Sequence, residues 1–205
     1  MGKMDEMIIV APRVNVFNNE TLTFQGVNSD NETLKEVVSN LANTYSVMRR
    51  GDAEENPTFK QPIPYCVLKR GNEVFVYERL QGGGETRLHS KLSMGVGGHM
   101  NKFEVEDFYE QLSVNLEREL EEELLIDGDR LSLDTIGLIN DDENEVGKVH
   151  IGLLVIAELK EDATVAVRET DQLKGMWLTI EDLTQSDTYE RLESWSQFVV
   201  DVLKK

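Results

Sequence analysis

The sequence of 205 residues has few of the features that oxidised, secreted or membrane-bound proteins need. Its single cysteine, Cys66, cannot form an internal disulfide, so we expect a cytoplasmic protein whose fold does not depend on oxidation. No segment approaches the roughly 18 consecutive apolar residues that a bilayer span requires. The first residues lack both the basic leader and the long apolar core of a secretion signal. We therefore predict no membrane partner.

Basic residues are also scarce, since 21 lysines and arginines face 39 aspartates and glutamates, which gives a net charge of −18. Such a field repels phosphate backbones at long range, so we expect no general nucleic-acid binding. An anionic small molecule would bind only where the local charge is reversed. A cluster of carboxylates that holds divalent cations would provide that reversal.

The pattern along the chain changes near residue 58. Residues 7–17 and 21–27 predict two strands of a β-hairpin, and apolar residues at helical spacing predict a helix over 32–49. We therefore predict an N-terminal extension over 1–58, followed by a main domain over 59–205.

In the main domain, short strands precede and follow one long predicted helix over 105–124. A polar, proline-containing stretch over 51–64 is typical of a linker, and a last amphipathic helix is predicted over 187–203. Strands on both sides of one long helix indicate an α/β fold, in which a mixed sheet packs between helices.

The long predicted helix has one apolar and one strongly acidic side. Its apolar stripe consists of Phe108, Leu112, Leu116, Leu120 and Leu124. Three glutamates, Glu119, Glu122 and Glu123, lie three or four residues apart and therefore share a face. Like charges at this spacing destabilise a helix by about 0.2 to 0.5 kcal/mol per pair, unless a cation compensates them. Oxygen ligands of this kind suit Mg²⁺ or Mn²⁺.

A pair of oppositely charged residues extends the pattern toward the start of the helix. Glu110 and Arg118 are eight residues apart and point within about 80° of each other on a helix of 3.6 residues per turn. We expect an ion pair between them that orders the acidic surface.

This run of residues resembles the signature of the Nudix hydrolases. Glu110, seven residues and then Arg118-Glu119-Leu120-Glu121-Glu122-Glu123 match its helical part. Two glycines of the signature are replaced, by Glu104 before the helix and by Leu125 after it. Gly97-Gly98 could take the first role across a longer loop, and Gly128 could provide the turn after the helix. The resemblance covers roughly residues 60 to 200.

The resemblance implies a Nudix-type α/β/α sandwich and a hydrolase that splits a diphosphate linkage with Mg²⁺ or Mn²⁺. It implies a small-molecule substrate, in which a nucleoside diphosphate is joined to another group. The metal ligands that it implies are Glu119, Glu122 and Glu123, with the Gly98 carbonyl as a further candidate. Together with Glu110 and Arg118, these glutamates form the implied catalytic set.

The segment before the helix is the candidate substrate contact. Gly97, Gly98 and His99 follow a predicted strand, at a corner from which a side chain could reach a phosphate. The arginines beside the glycine run 82–84 are further candidates for phosphate contact: Arg70, Arg79 and Arg87.

The general base stays open at this point. It is either a glutamate of the helix or an acid within 141–145. His150 alternates with Val149 and Ile151 on a predicted strand, so it either lines a pocket or lies on the sheet surface.

Two other functions remain as alternatives. A nucleotide-binding regulatory module of the same fold would have weak or no turnover, although the three glutamates and Arg118 argue against it. An isoprenoid diphosphate isomerase would need a cysteine facing the substrate, and Cys66 lies far upstream of the acidic helix. The hairpin and helix of the extension also suggest a homodimer.

Overall fold

The computed structural model describes residues 2–80, 90–105 and 107–204. The strands are β1 (Met7–Pro12), β2 (Gly26–Asn28), β3 (Ser46–Arg49), β4 (Phe59–Arg70), β5 (Glu73–Arg79), β6 (Leu92–Ser93), β7 (Gly95–Val96), β8 (Leu124–Asp127), β9 (Arg130–Asn140), β10 (His150–Leu159), β11 (Thr164–Val167) and β12 (Leu173–Thr179). The helices are α1 (Arg13–Val16), α2 (Asn31–Thr44), α3 (Arg50–Ala53), α4 (Phe108–Glu123), α5 (Glu145–Val149), α6 (Ile180–Thr184), α7 (Ser186–Tyr189) and α8 (Ser194–Leu203). The glycine run 82–84 and Arg87 lie outside the described residues.

These elements give a mixed α/β fold with one large mixed sheet, which confirms the predicted fold class. The chain forms two compact units. The first unit comprises Met1–Tyr65, Gly97–Arg118 and Ile136–Leu154, and the second comprises the remaining segments. Strands β4, β10 and β9 are neighbours in that order in the large sheet. The division into an extension over 1–58 and a domain over 59–205 stays a prediction.

In the first unit, the strand pairing differs from the predicted hairpin. β1 pairs antiparallel with β3 and with the start of β4, whereas β2 pairs antiparallel with β9. The predicted hairpin was wrong because the chain coils into α1 directly after Pro12. Asn18, Asn19 and Glu20 then take positive φ angles, a left-handed turn that asparagine tolerates well. The chain thus leaves β1 before a second strand could pair beside it.

The core of the first unit is built around α2 and the first half of α4. The Asp30 carboxylate accepts a hydrogen bond from the Thr33 N–H and caps α2. The buried residues of this core include Ile9, Phe17, Val37, Leu41, Met100, Phe108, Leu112, Leu138 and Ile151. The apolar stripe of the long helix is therefore buried, as its spacing predicts.

β4 occupies part of the predicted linker, because its strand begins at Phe59 in spite of two prolines. Pro62 and Pro64 are two residues apart, so the positions at which they lack an N–H face the same edge of the strand. The strand can therefore pair through its other edge over this stretch. A proline-rich composition was a poor guide to structure here.

The second unit is centred on β5, which pairs antiparallel with β12 and with the end of β4. The Phe75 and Trp177 rings pack edge to face with their centroids 5.5 Å apart, and the Arg70 guanidinium lies 4.1 Å from the Trp177 ring centroid. Thr179 caps α6 through a reciprocal pair of hydrogen bonds with Asp182. The contact between the Arg70 guanidinium and the Trp177 ring gives Arg70 a packing role in the structure.

The end of α4 explains why Leu125 stands where the Nudix signature has a glycine. The helix ends at Glu123, and the next residues enter β8, which pairs antiparallel with β11. Arg168 donates from its backbone N–H to the Glu123 carbonyl and from Nε to the Glu121 carbonyl, which satisfies groups that a helix end leaves without partners. A left-handed glycine is therefore not needed at this point. The turn comes later, at Gly128 with φ of 128°.

None of the helices within the described ranges combines the length and the apolar character that a membrane crossing requires.

Candidate active site

The loop before α4 is fastened to the helix by two side-chain amides. Asn115 accepts a hydrogen bond of 2.8 Å from the Asn101 N–H and returns one of 2.9 Å to the Asn101 carbonyl. Gln111 makes the same pair of bonds with the backbone of Phe103, one helical turn earlier. Both amides are buried, so their bonds are shielded from water. The loop that carries the predicted substrate contacts is thus held in one position relative to the helix.

Arg118 also acts on this loop. Its Nη2 donates a hydrogen bond of 3.0 Å to the His99 carbonyl. Gly97 lies so close to β4 that an added Cβ would come within 1.7 Å of the Pro64 carbonyl oxygen. Only glycine fits there. The sequence-predicted segment of Gly97, Gly98 and His99 is therefore rigidly placed, and Arg118 is the residue that fixes its end.

The three glutamates of α4 differ in exposure. Glu119 is buried, Glu123 is half-buried and Glu122 is exposed, all within the second unit. Burial, together with the charges of Glu119, Glu169 and Glu122, raises the pKa of Glu123 to about 7, and the positive charge of Arg79 opposes this rise. This region concentrates negative charge where water is partly excluded. A divalent cation would fit this donor set, because it supplies the positive charge that the carboxylates lack and accepts oxygen ligands.

Arg79, predicted as a phosphate contact, lies in the second unit near these carboxylates. Its Nε donates a hydrogen bond of 2.8 Å to Glu193. Burial alone would lower the pKa of Arg79, but the surrounding negative charge outweighs this effect and raises the pKa. Tyr77 is buried beside it and donates a hydrogen bond of 2.8 Å to the Gly95 carbonyl. Burial and the charge of Glu123 raise the pKa of Tyr77 well above its ordinary range. Tyr77 therefore stays a neutral donor.

Glu110 lies in the first turn of α4 and is exposed. Its backbone N–H donates a hydrogen bond of 2.9 Å to the Asp107 carboxylate. The expected ion pair between Glu110 and Arg118, and a catalytic role for Glu110, stay predictions.

A second group of chemically active side chains lies in the first unit. Among the residues that the structure describes, Glu54, His99 and His150 form the one group of three or more candidate ligands whose donor atoms all lie within 4.8 Å of one another. The His99 Nε2 atom lies 3.1 Å from His150 Nε2 and 3.3 Å from Glu54 Oε1. The two imidazole rings pack edge to face, 5.1 Å between centroids.

The acidic segment 141–145, one candidate for the general base, is engaged with protein groups. Asp141 accepts hydrogen bonds from Gln25 and Asn144. Asp142 forms ion pairs with Arg13, 2.7 Å, and with Lys60, 3.0 Å. These contacts hold the segment in place within the first unit.

Lys60 is the largest departure from sequence reasoning, since it is a lysine with no exposed surface. Its Nζ donates to Asn140 Oδ1 at 2.8 Å, to the Gly147 carbonyl at 3.0 Å and to the His150 carbonyl at 3.1 Å, besides its ion pair with Asp142. Burial lowers the pKa of Lys60 to about 8. Nothing in the local pattern of β4 indicates this network, because its acceptors lie 80 or more residues away.

Glu54 was missed for a similar reason. It lies in a segment that resembles a linker, 45 residues before His99, and no short spacing motif links the two. His150 was open between two roles, and the structure places it in a buried position, not on an exposed sheet surface. Contacts between residues so far apart along the chain become visible only when the fold is known.

Comparisons with known proteins identify relatives that match nearly the whole chain. No family model matches the chain. The protein YmaB of Bacillus subtilis strain 168 is 59% identical over 206 residues and is covered over its full length, as is this chain. The crystal structure of Tm1382, a protein assigned to the Nudix hydrolases, superposes with a TM-score of 0.79 at 28% identity, over 97% of this chain and 98% of that one.

A more distant likeness shows the fold alone. The bifunctional NMN adenylyltransferase and ADP-ribose pyrophosphatase of Francisella tularensis, solved with AMP and a manganese ion, gives a TM-score of 0.51 at 10% identity over 71% of this chain and 41% of that one. The chain belongs to the same family as YmaB, and its fold, together with the near full-length match to Tm1382, assigns it to the Nudix hydrolases.

Proposed function

We propose that this protein hydrolyses a diphosphate linkage in a small molecule of the nucleoside diphosphate type, with Mg²⁺ or Mn²⁺ as cofactor. The observation that carries the proposal is the charge cluster at the end of α4. Glu119 is buried there, and the pKa of Glu123 is raised to about 7 by burial and by its acidic neighbours. Concentrated negative charge of this kind favours a bound divalent cation.

Three glutamates would hold the cation: Glu119, Glu122 and Glu123. A divalent cation supplies Lewis acidity and neutralises the oxygens of a diphosphate, which the net charge of −18 would otherwise repel. Arg79, near the same carboxylates, adds a fixed positive charge that can face a phosphate oxygen.

Hydrolysis requires that a water molecule attacks phosphorus and gives its proton to a base. A carboxylate whose pKa lies near neutral pH suits that role, because it is deprotonated yet basic enough to accept a proton. A glutamate of α4 that does not bind the cation is one candidate for the base. Asp141 and Asp142 are the weaker candidates, since each accepts hydrogen bonds from protein donors.

Arg118 supports the reaction from a distance, as a positioning residue. Through the His99 carbonyl it fixes the segment that follows the strand β7. That segment offers the Gly98 carbonyl and the His99 side chain as candidate contacts to the cation or the substrate.

The test is product release with Mg²⁺ or Mn²⁺ across nucleotide sugars, dinucleoside polyphosphates, nucleoside triphosphates, ADP-ribose and NADH. Each compound is assayed with the unmodified protein and with Glu122→Gln and Glu123→Gln. We expect metal-dependent hydrolysis of one class, lowered by orders of magnitude in both variants. Glu121→Gln is the matched control, because Glu121 lies exposed in the same helical turn but outside the signature glutamates.

Two outcomes would contradict the proposal. Unchanged turnover in both variants would remove the glutamates from the reaction. No hydrolysis of any compound, together with thermal stabilisation by one of them, would favour the nucleotide-binding regulatory module. The isomerase alternative is disfavoured by the structure, since Cys66 is fully buried within β4.

A further inference from the structure

Three side chains from distant parts of the first unit converge near the start of β10. Glu54 follows α3, His99 follows the double glycine, and His150 is the first residue of β10. Their donor atoms all lie within 4.8 Å of one another, and the two histidines are largely buried. None of its three members is a glutamate of α4, and His99 is the one member that is also a proposed substrate contact.

The spacing of the donor atoms matches one coordination geometry. Zinc bonds of about 2.0 to 2.2 Å to imidazole nitrogen and carboxylate oxygen, arranged tetrahedrally, set neighbouring ligand atoms roughly 3.3 to 3.6 Å apart. The observed separations are 3.1 Å between the Nε2 atoms of His99 and His150, and 3.3 Å between His99 Nε2 and Glu54 Oε1. The third pair of donor atoms, on Glu54 and His150, also lies within 4.8 Å, so side-chain movements alone would place all three donors around one ion.

The surroundings also orient the ligands as metal sites do. His150 Nδ1 lies 2.6 Å from the Val146 carbonyl, which can only accept, so Nδ1 carries the proton and Nε2 presents its lone pair to the cluster. Second partners of this kind, on the other ring nitrogen, are typical of metal-bound histidines. Arg118 holds the backbone carbonyl of His99, and Arg50 lies 3.4 Å from Glu54.

We propose that Glu54, His99 and His150 form a binding site for a transition-metal cation of the zinc class. Two imidazoles and one carboxylate suit Zn²⁺ and Co²⁺ and are poor ligands for Mg²⁺, which prefers oxygen donors. Three protein ligands leave a fourth position open to water or to an anionic ligand. The proposal does not depend on the diphosphate hydrolase activity.

The first experiment is a titration of the metal-stripped protein with Co²⁺ in the presence of excess Mg²⁺. We expect one Co²⁺ per chain, with the intense visible absorption bands of a four-coordinate ion, and displacement of that Co²⁺ by Zn²⁺. His150→Gln, His99→Gln and Glu54→Gln should each weaken Co²⁺ binding by at least about 100-fold. A loss of about 100-fold is the upper end of what is found when only a residue behind a metal ligand is changed.

Two controls separate this site from the signature glutamates and from incidental histidine binding. Glu123→Gln should keep the Co²⁺ spectrum unchanged. His89→Gln removes the remaining histidine of the sequence and should also leave the spectrum intact. Zn²⁺ should raise the melting temperature of the unmodified protein and of both control variants, but not that of the three ligand variants.

Glu54→Gln keeps the experiment decisive if a histidine variant fails to fold, because Glu54 is partly exposed and glutamine preserves its size. Absence of stoichiometric Co²⁺ and Zn²⁺ binding in the unmodified protein would overturn the proposal. Binding that survives in a folded Glu54→Gln and a folded His99→Gln would overturn it as well.

Discussion

At the scale of single residues, the buried cation of Lys60 decides much of the local stability. Its charge has four acceptors, of which only Asp142 is itself charged. Removal of one partner from a buried ion pair is more costly than the pair is worth, because a charge then stays buried without compensation.

We therefore expect Asp142→Asn to lower the free energy of unfolding by about 3 kcal/mol, the low end for a buried pair, since the Asp142 side chain is 27% exposed. Urea unfolding at neutral pH measures this change. Asp129→Asn is the matched control, because the Asp129 ion pair with Lys160 is exposed on both sides and should contribute little. A similar loss in both variants would contradict the role given to Lys60.

The same carboxylate predicts how stability depends on pH. Burial alone would raise the pKa of Asp142, but hydrogen bonds from Arg13, Asn140 and Lys60 hold it well below the ordinary value of 3.8. The folded chain thus binds the proton less readily than the unfolded chain, and the stabilisation is complete above that value and lost as the pH falls below it. Unfolding measured from about pH 6 to about pH 3 should show a shallower acid loss in Asp142→Asn than in the unmodified protein. Parallel curves would refute the assignment.

Gly97 gives a steric prediction. An added methyl group would lie 1.7 Å from the Pro64 carbonyl oxygen, which is backbone and cannot rotate away. We expect Gly97→Ala to cost roughly 3 kcal/mol or more, at or above the usual cost of overpacking, and to lower the melting temperature strongly. Gly2→Ala is the control, because its added Cβ would meet its nearest atom at an ordinary 3.8 Å.

Much at this scale could be predicted from sequence, but only where the residues are close along the chain. The position of Arg118 and of three glutamates on one helix follows from the sequence pattern, whereas their catalytic roles stay predictions. Glu54 and Lys60 could not be predicted, because their partners are brought near by strand pairing over long separations.

At the scale of elements, the passage from α4 into β8 departs from the family pattern. Leu125 lies in β8 opposite Ala166, in extended backbone, and its side chain is 50% exposed. Arg168 satisfies the carbonyls at the end of the helix instead of a left-handed glycine.

Leu125→Gly, which restores the glycine of the signature, should therefore destabilise the protein by about 0.5 to 1 kcal/mol, because glycine weakens a strand through its greater freedom when unfolded. Chemical unfolding measures the effect, and Leu125→Thr, a good strand former, serves as the comparison. Stabilisation by the glycine would show that this junction needs a left-handed residue after all.

The elements also show which sequence signals were reliable. The amphipathic stripe of α4 depends on the spacing of residues within one helix, and its burial was predicted correctly. The N-terminal hairpin was wrong because two strand-like segments do not specify their partners. β1 pairs with β3 and β4 only after α2 and α3 have reversed the chain.

At the scale of the whole molecule, the fold class and family follow from the sequence, whereas the substrate does not. The residues that would recognise a leaving group belong to loops, and the shared glutamates report only on the chemistry. A homodimer through the N-terminal segment also stays a prediction. Sedimentation velocity over a range of protein concentrations would test it, and a constant monomeric mass would exclude it.

The burial of Lys60, which pairs with Asp142, also predicts how this lysine reacts with acylating reagents. A lysine reacts as its neutral amine and only where reagent can reach it. Lys148 and Lys204 are exposed over nearly half of their side chains, whereas Lys60 has no accessible surface. Under brief acetylation, peptides that contain Lys60 should therefore stay unmodified in mass spectra until the surrounding structure opens. The rate of that modification would time the opening of this part of the molecule, without any probe added to the chain.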